Sequence, residues 1–235
     1  MSVSSRSKIK SAHQNPKRSS SALIWLIAGG VVMVALIAFA IYLNMPRASG
    51  PIAQPDVDAA WIDGMSLGDA NAPVTVETYE DFLCPHCREW TSTVGLRIKE
   101  DYVKAGKVRL IYRTFPLQGF APASNMAAQA ASCAAEQNSF WPYHDRLFDA
   151  QTRGQAGYTI DQLIGYAGEL NLNEQGFTQC MSSLQHQSDI DATVQEGVSR
   201  GVTGTPSIFI NGQLIQSDYL AVQAEIDRLL AAAGQ

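Results

Sequence analysis

The fold is decided by Val74-Thr75-Val76-Glu77-Thr78-Tyr79-Glu80-Asp81-Phe82-Leu83-Cys84-Pro85-His86-Cys87. Its opening six residues, introduced by Ala72-Pro73, are rich in β-branched and aromatic side chains and read as a strand. Pro85 suits the first position of a helix, and the pattern behind it runs to about Ala105. Trp90, Val94 and Ile98 recur at helical spacing, and Gly106 supplies the stop. Val108 to Phe115 then reads as a second strand closed by Pro116. A strand, a helix and a strand in that order imply a parallel pair joined by a right-handed crossover.

Downstream, residues 120–200 change character. Helices are expected over Ala121 to Gln137, after Ser139 or Trp141, over Ile160 to Glu169, Glu174 to Leu184 and Ile190 to Val198, with no convincing strand. Ser207 to Ile210 then reads as a strand, Asn211-Gly212 as a two-residue hairpin turn, and Gln213 to Ile215 as the return strand. A last helix, Tyr219 to Ala232, is expected to lay Leu220, Ala224 and Ile226 on the sheet. The sum is an α/β chain of the form βαβ, helical insert, ββα.

Upstream, the charge is asymmetric. Residues 1–50 hold six of the 17 Lys and Arg and none of the 22 Asp and Glu, so the remainder is strongly acidic. An acidic body lacks the basic footprint that nucleic acid requires, which excludes that partner. Residues 22–43 carry no charge and are long enough to span a bilayer core of ~30 Å. The expectation is a basic cytoplasmic tail at 1–21, an uncleaved signal-anchor helix at 22–43, a Pro-rich flexible linker at 44–70 and a folded domain at 71–235. Five cations precede the hydrophobic segment and one follows it, which orients the body outward, where disulfides persist.

Four cysteines stand at 84, 87, 133 and 180. With Pro85 opening the helix, Cys84 falls at its N-cap, facing the unpaired amides of His86 and Cys87, with the His86 imidazole nearby. Such surroundings favour a thiolate, with a pKa in the range of roughly 3.5–7.5. Cys87, one turn in, is expected to be the resolving thiol. A stabilised thiolate makes the disulfide form the stronger oxidant, so the chemistry points to a donor of disulfides. Half of a zinc site is the alternative for Cys84 and Cys87, but no close-set second pair of ligands accompanies them, so no metal is expected. Cys133 and Cys180 fall in different helices; a structural bridge between them is favoured, with free thiols or a second redox relay as alternatives. His144, behind Trp141, reads as a packed core histidine.

Cys84-Pro85-His86-Cys87 preceded by Asp81-Phe82, then Phe115-Pro116-Leu117, Cys133 and Gln137, Phe140-Trp141, His144-Asp145, Leu147-Phe148, and Gly201 to Ser207 with Gly204-Thr205-Pro206 together resemble the membrane-anchored DsbA-like thiol-disulfide oxidoreductases of the thioredoxin-fold superfamily. The resemblance covers about Ala72 to Leu230. It implies a thioredoxin fold with a helical domain inserted at about 120–200. It also implies Cys84, Cys87, His86 and Pro85 as the catalytic motif, a cis-proline at Pro206 facing it, and Thr205 and Pro206 as the client-binding edge. No cofactor beyond the Cys84–Cys87 disulfide is implied. The partners would be exported, unfolded or reduced proteins, and a membrane reoxidase of the DsbB or vitamin K epoxide reductase type. Two departures stand out. The position six before the first cysteine, a carboxylate in many relatives, is Thr78, with Glu77 directed to the opposite face. The dimerisation domain of the isomerase branch is missing, which favours a monomeric oxidase over a reductase or isomerase. A tethered peptide-binding or holdase module with a structural disulfide is the reading from a different class.

Overall fold

The computed structural model describes residues 20–44 and 52–234, and in the first of these segments the side chains of residues 24–37 only. These form two compact units, divided between Ala48 and Ser49. In the first unit, helix α1 covers Ser20–Asn44. Among the described residues no helix is long and apolar enough to cross a membrane. The expected span over 22–43 lies within this helix. The basic tail lies outside the described residues.

The second unit is built on a six-stranded sheet of order β1-β2-β4-β3-β5-β6. The strands are β1 (Ile62–Asp63), β2 (Ser66–Leu67), β3 (Val74–Glu80), β4 (Val108–Thr114), β5 (Ser207–Ile210) and β6 (Gln213–Ile215). β3 and β4 are parallel in the register Val74 to Val108 and Glu80 to Thr114. β5 runs antiparallel to β3, and β6 to β5. Asn211 and Gly212 both take positive φ, 45° and 82°, the geometry a tight hairpin of this hand requires.

Helix α2 starts at Pro85–Trp90 and continues through a π-helical stretch Thr91–Gly95, an α-turn Leu96–Ile98 and a second π-helical stretch Lys99–Val103. Trp90, Val94 and Ile98 are buried as their spacing predicts. The insert is α3 (Ala123–Ala135), α4 (Phe140–Ala150), α5 (Ile160–Glu169), α6 (Glu174–Ser182) and α7 (Gln187–Ser199), and α8 (Tyr219–Ala232) closes the chain. This is a thioredoxin-type α/β fold with a helical insertion between β4 and β5.

Two expectations need correction. The linker does not extend to residue 70, because β1 and β2 form a hairpin on the sheet and β2 pairs with β4, Leu67 opposite Leu110. Leu67 is fully buried, and Gly68 (φ 114°) lies so close to β4 that an added Cβ would sit 2.4 Å from the Val108 carbonyl oxygen. In α8 the buried stripe is Val222, Ile226 and Leu230, whereas Leu220 is 74% exposed. Ala224 is exposed as well, so of the three expected residues only Ile226 lies on the buried stripe.

Both faces of β3 are covered. Val74 and Val76 join a core that includes α2, α8 and the insert, while Tyr79 packs with Phe115, Val202 and Phe209 on the other face. On that second face Gly197 of α7 lies against the rings of Phe115 and Tyr79, with room for no Cβ.

Candidate functional site

β3 delivers Glu80 and Asp81 to the sheet's carboxyl end, and the chain turns there into α2. Asp81 holds the turn: its carboxylate accepts from the amides of Leu83 and Leu117, each at 2.7 Å, and from the Ser124 hydroxyl at 2.7 Å. The insert holds the next residues by their carbonyls. Tyr158 donates to Phe82 O at 2.9 Å, and Gln151 Nε2 donates to Phe82 O and Cys84 O at 2.8 and 3.0 Å. Neither Gln151 nor Tyr158 is marked by a local sequence signal, since their partners lie far away in the chain.

Cys84 is the N-cap of α2 (φ −74°, ψ 119°), with Pro85 next to it in the first turn. It is 5% exposed, and Cys87 is fully buried beneath it; both are free thiols. The Thr205–Pro206 peptide is cis and brings the Thr205 carbonyl within 3.4 Å of Cys84 Sγ, which donates to it. A second cis bond, Ala121–Pro122, stands at the entrance to α3. The Cys87 thiol, donating to the Cys84 sulfur, is the main influence that pulls the Cys84 pKa down to about 5. Burial opposes it, and the Thr205 hydroxyl and the amides of Cys87 and His86 add to it. No first-turn amide makes a full hydrogen bond to the sulfur, so these amides act by proximity. Thr205 Oγ1 is buried with no partner among the described residues, free to turn to a sulfur anion. Burial pushes the Cys87 thiol far above the ordinary range, helped by its bond to Cys84 and by the nearby Glu80 carboxyl. The two sulfurs are thus held in opposite protonation states. Pro85 and His86 are exposed on the rim.

Glu80 is the residue that sequence reading missed. It lies two positions beyond Thr78 on the same face of β3, and both are 2% exposed. Burial pushes its carboxyl up to about 7, against the hydroxyls of Thr78 and Thr91 and the charge of Lys99. Thr91 Oγ1 donates to Glu80 Oε2 at 3.0 Å. Glu77 points to the opposite face, as alternation requires. Burial would raise its pKa, but Arg200 (2.8 Å) and Arg113 (2.9 Å) hold it below the usual carboxylate value.

Away from this site, Cys133 of α3 and Cys180 of α6 are joined in a disulfide with Cα atoms 5.9 Å apart. His144 is packed among Phe82, Tyr112, Phe140, Trp141 and Phe148, with Nδ1 2.8 Å from Asp145. Burial lowers its pKa, in keeping with a neutral core histidine.

Comparison with known proteins agrees with this fold. A family model described as Thioredoxin matches residues 61–228. A probable disulfide bond formation protein D of Bacillus anthracis is 32% identical over 175 residues, covering 73% of this chain and 80% of the relative. Among solved structures, oxidised BdbD from Bacillus subtilis superposes with a TM-score of 0.66 at 23% identity, covering 72% of this chain and 94% of that one. Wolbachia pipientis α-DsbA1 superposes with a TM-score of 0.62 at 24% identity, covering 72% and 92%. The chain belongs to the thioredoxin family and is a DsbA-like protein thiol-disulfide oxidoreductase.

Proposed function

We propose that this oxidoreductase donates disulfide bonds to exported proteins through Cys84 and Cys87. In the oxidised enzyme a client thiolate attacks Cys84 Sγ, forming a client–Cys84 disulfide and releasing Cys87 as a thiolate. That thiolate, with its strongly raised pKa, takes a proton at once, and Glu80, half-protonated near pH 7, is the group placed to supply it. A second client thiolate then attacks the client sulfur of the mixed disulfide. The client leaves with its disulfide, and Cys84 leaves as a stable thiolate. The backbone beside cis-Pro206, with Thr205 next to Cys84 Sγ, offers an edge on which an extended client segment adds as a strand. The reduced enzyme returns to the disulfide by giving two electrons to a membrane reoxidase of the DsbB or vitamin K epoxide reductase type. The Cys84–Cys87 disulfide is itself the redox group, so the cycle uses no further cofactor.

The observation that carries this direction is the lowered Cys84 pKa of about 5. A stabilised reduced state makes the disulfide oxidising, and a low-pKa leaving thiol speeds client release. The proposed placement is a single-pass anchor formed by residues 22–43, with the N-terminus cytoplasmic and the catalytic unit outside as a monomer. Its support is the uncharged segment, the helix over Ser20–Asn44 and the cations that precede it.

The test is the reduction potential of the Cys84–Cys87 pair against glutathione, together with client oxidation by Cys84→Ser. A potential well above the roughly −270 mV of thioredoxin, with activity abolished in the variant, is expected. A potential near the thioredoxin value would make the enzyme a reductase, and an active Cys84→Ser would overturn the mechanism.

A further inference from the structure

We infer that reduction of Cys133–Cys180 opens a zinc site made by these two thiolates, His186 and Glu136. The sulfurs of Cys133 and Cys180 and a ring nitrogen of His186 lie within 4.8 Å of one another. His186 heads α7, just past the turn that ends α6, so the chain folds the imidazole back onto the bridge. Its Nε2 is buried and has no hydrogen-bond partner among the described residues, a costly state that a metal ion would relieve. Glu136 Oε1 stands 3.3 Å from that nitrogen and accepts from Gln185 Nε2 at 2.5 Å, so it lies outside the three-residue cluster and becomes the fourth ligand by exchanging that bond for the metal. On the other side of the ring, Asp189 Oδ2 is 3.7 Å from Nδ1, where a small shift makes the carboxylate–histidine pairing that orients zinc-bound imidazoles.

The donor set of two thiolates, one imidazole and one carboxylate suits tetrahedral Zn²⁺ and disfavours Mg²⁺ or Ca²⁺. Both cysteines stand near the carboxyl ends of their helices, α3 and α6, where the helix dipoles favour a cation. A groove lined by Ser132, Glu136, His186 and Asp189 gives a way in from solvent.

The disulfide and the metal exclude each other. A dithiol reductant gives two electrons to the Cys133–Cys180 bond, which breaks to two thiols while the reductant becomes a disulfide. Zn²⁺ then forms two Zn–S bonds as two protons leave. In the reverse, a disulfide oxidant takes two electrons from the thiolates and two protons from solvent, becoming a dithiol, and this restores the bridge and expels the ion. Zinc therefore protects the reduced insert from reoxidation, and its release reports bridge formation. This inference stands apart from the oxidase reading, since it uses neither Cys84 nor Cys87.

The test uses the full-length chain carrying Cys84→Ser and Cys87→Ser, so that only the second pair can ligate. The protein is reduced with a phosphine, freed of it without air, and titrated with Co²⁺ and then Zn²⁺. The expected result is a thiolate-to-cobalt charge-transfer band and tetrahedral visible bands, saturating at one ion per chain, displaced by Zn²⁺ and missing before reduction. His186→Ala should weaken binding by at least about tenfold, and Asp189→Asn by about 10- to 100-fold. Lack of the charge-transfer band after reduction, or a band unchanged in His186→Ala, would overturn the inference. Circular dichroism covers loss of fold: helix lost on reduction and restored by Zn²⁺ supports the site, and helix lost and not restored overturns it.

Discussion

The two cysteine pairs of this chain contain the same atoms and differ in every surrounding that matters. Cys84 and Cys87 sit where a strand hands over to a helix, with one sulfur near the surface beside a cis-proline and the other sealed above a buried carboxylate. Cys133 and Cys180 join two helices of the insert across 47 positions of sequence, both buried and each near the carboxyl end of its helix. The first environment separates the two protonation states and makes a reactive pair. The second places a cross-link where loop closure is long. Reactivity is thus assigned by the placement of amides, hydroxyls and carboxylates around sulfur, and the sulfur itself is common to both.

The largest effect expected from this contrast is on stability. A thiol whose folded pKa lies below its unfolded value adds stability that is full above about pH 9 and is lost as pH falls through about 5. For Cys84 the upper limit is on the order of 5 kcal/mol in favour of the reduced form, and the disulfide form has no such contribution. Denaturant unfolding of both forms from pH 4 to 9 should therefore show reduced protein more stable at neutral pH, with the gap closing on acidification. A gap independent of pH would remove the thiolate as its source.

Next in size is the second pair. Cys133→Ser with Cys180→Ser should cost about 4 kcal/mol in the chain-entropy estimate for a loop of this length, read as a fall in denaturant midpoint. Client oxidation measured below the unfolding transition should stay near wild type. A large loss of turnover in folded protein would mean that the two pairs are coupled, and the contrast would break.

Smaller, and confined to the reactive pair, is Glu80→Gln. It should slow client turnover by about 10²-fold and remove a pH dependence centred near 7, with the Cys84 titration still acidic. The smallest effect is expected from Thr205→Val. Losing this hydroxyl should raise the Cys84 midpoint from about 5, by less than Cys87→Ala does, because the Cys87 thiol is the larger influence. Thiolate absorbance against pH ranks the two variants.

Much of this was decided by local sequence. The Cys84-Pro85-His86-Cys87 motif at a strand-to-helix junction, the parallel pair around it and the hairpin at Asn211-Gly212 depend on residues close together in the chain, where periodicity and turn chemistry leave readable marks. The N-cap position of Cys84 followed from Pro85 alone. Tertiary structure decided the rest. Ser66 and Leu67 became a strand because Leu67 finds a place against Leu110, and a two-residue strand carries too little pattern to be seen. Glu80 became the buried acid because the face it shares with Thr78 is sealed by α2, which no count from Cys84 reveals. Gln151 and Tyr158 reach the site from 67 and 76 positions away, and His186 meets Cys133 only because two helices end together. Local sequence records torsional and periodic preference, whereas desolvation and distant hydrogen bonds exist only once the chain has closed on itself, and these set the two thiol pKa values.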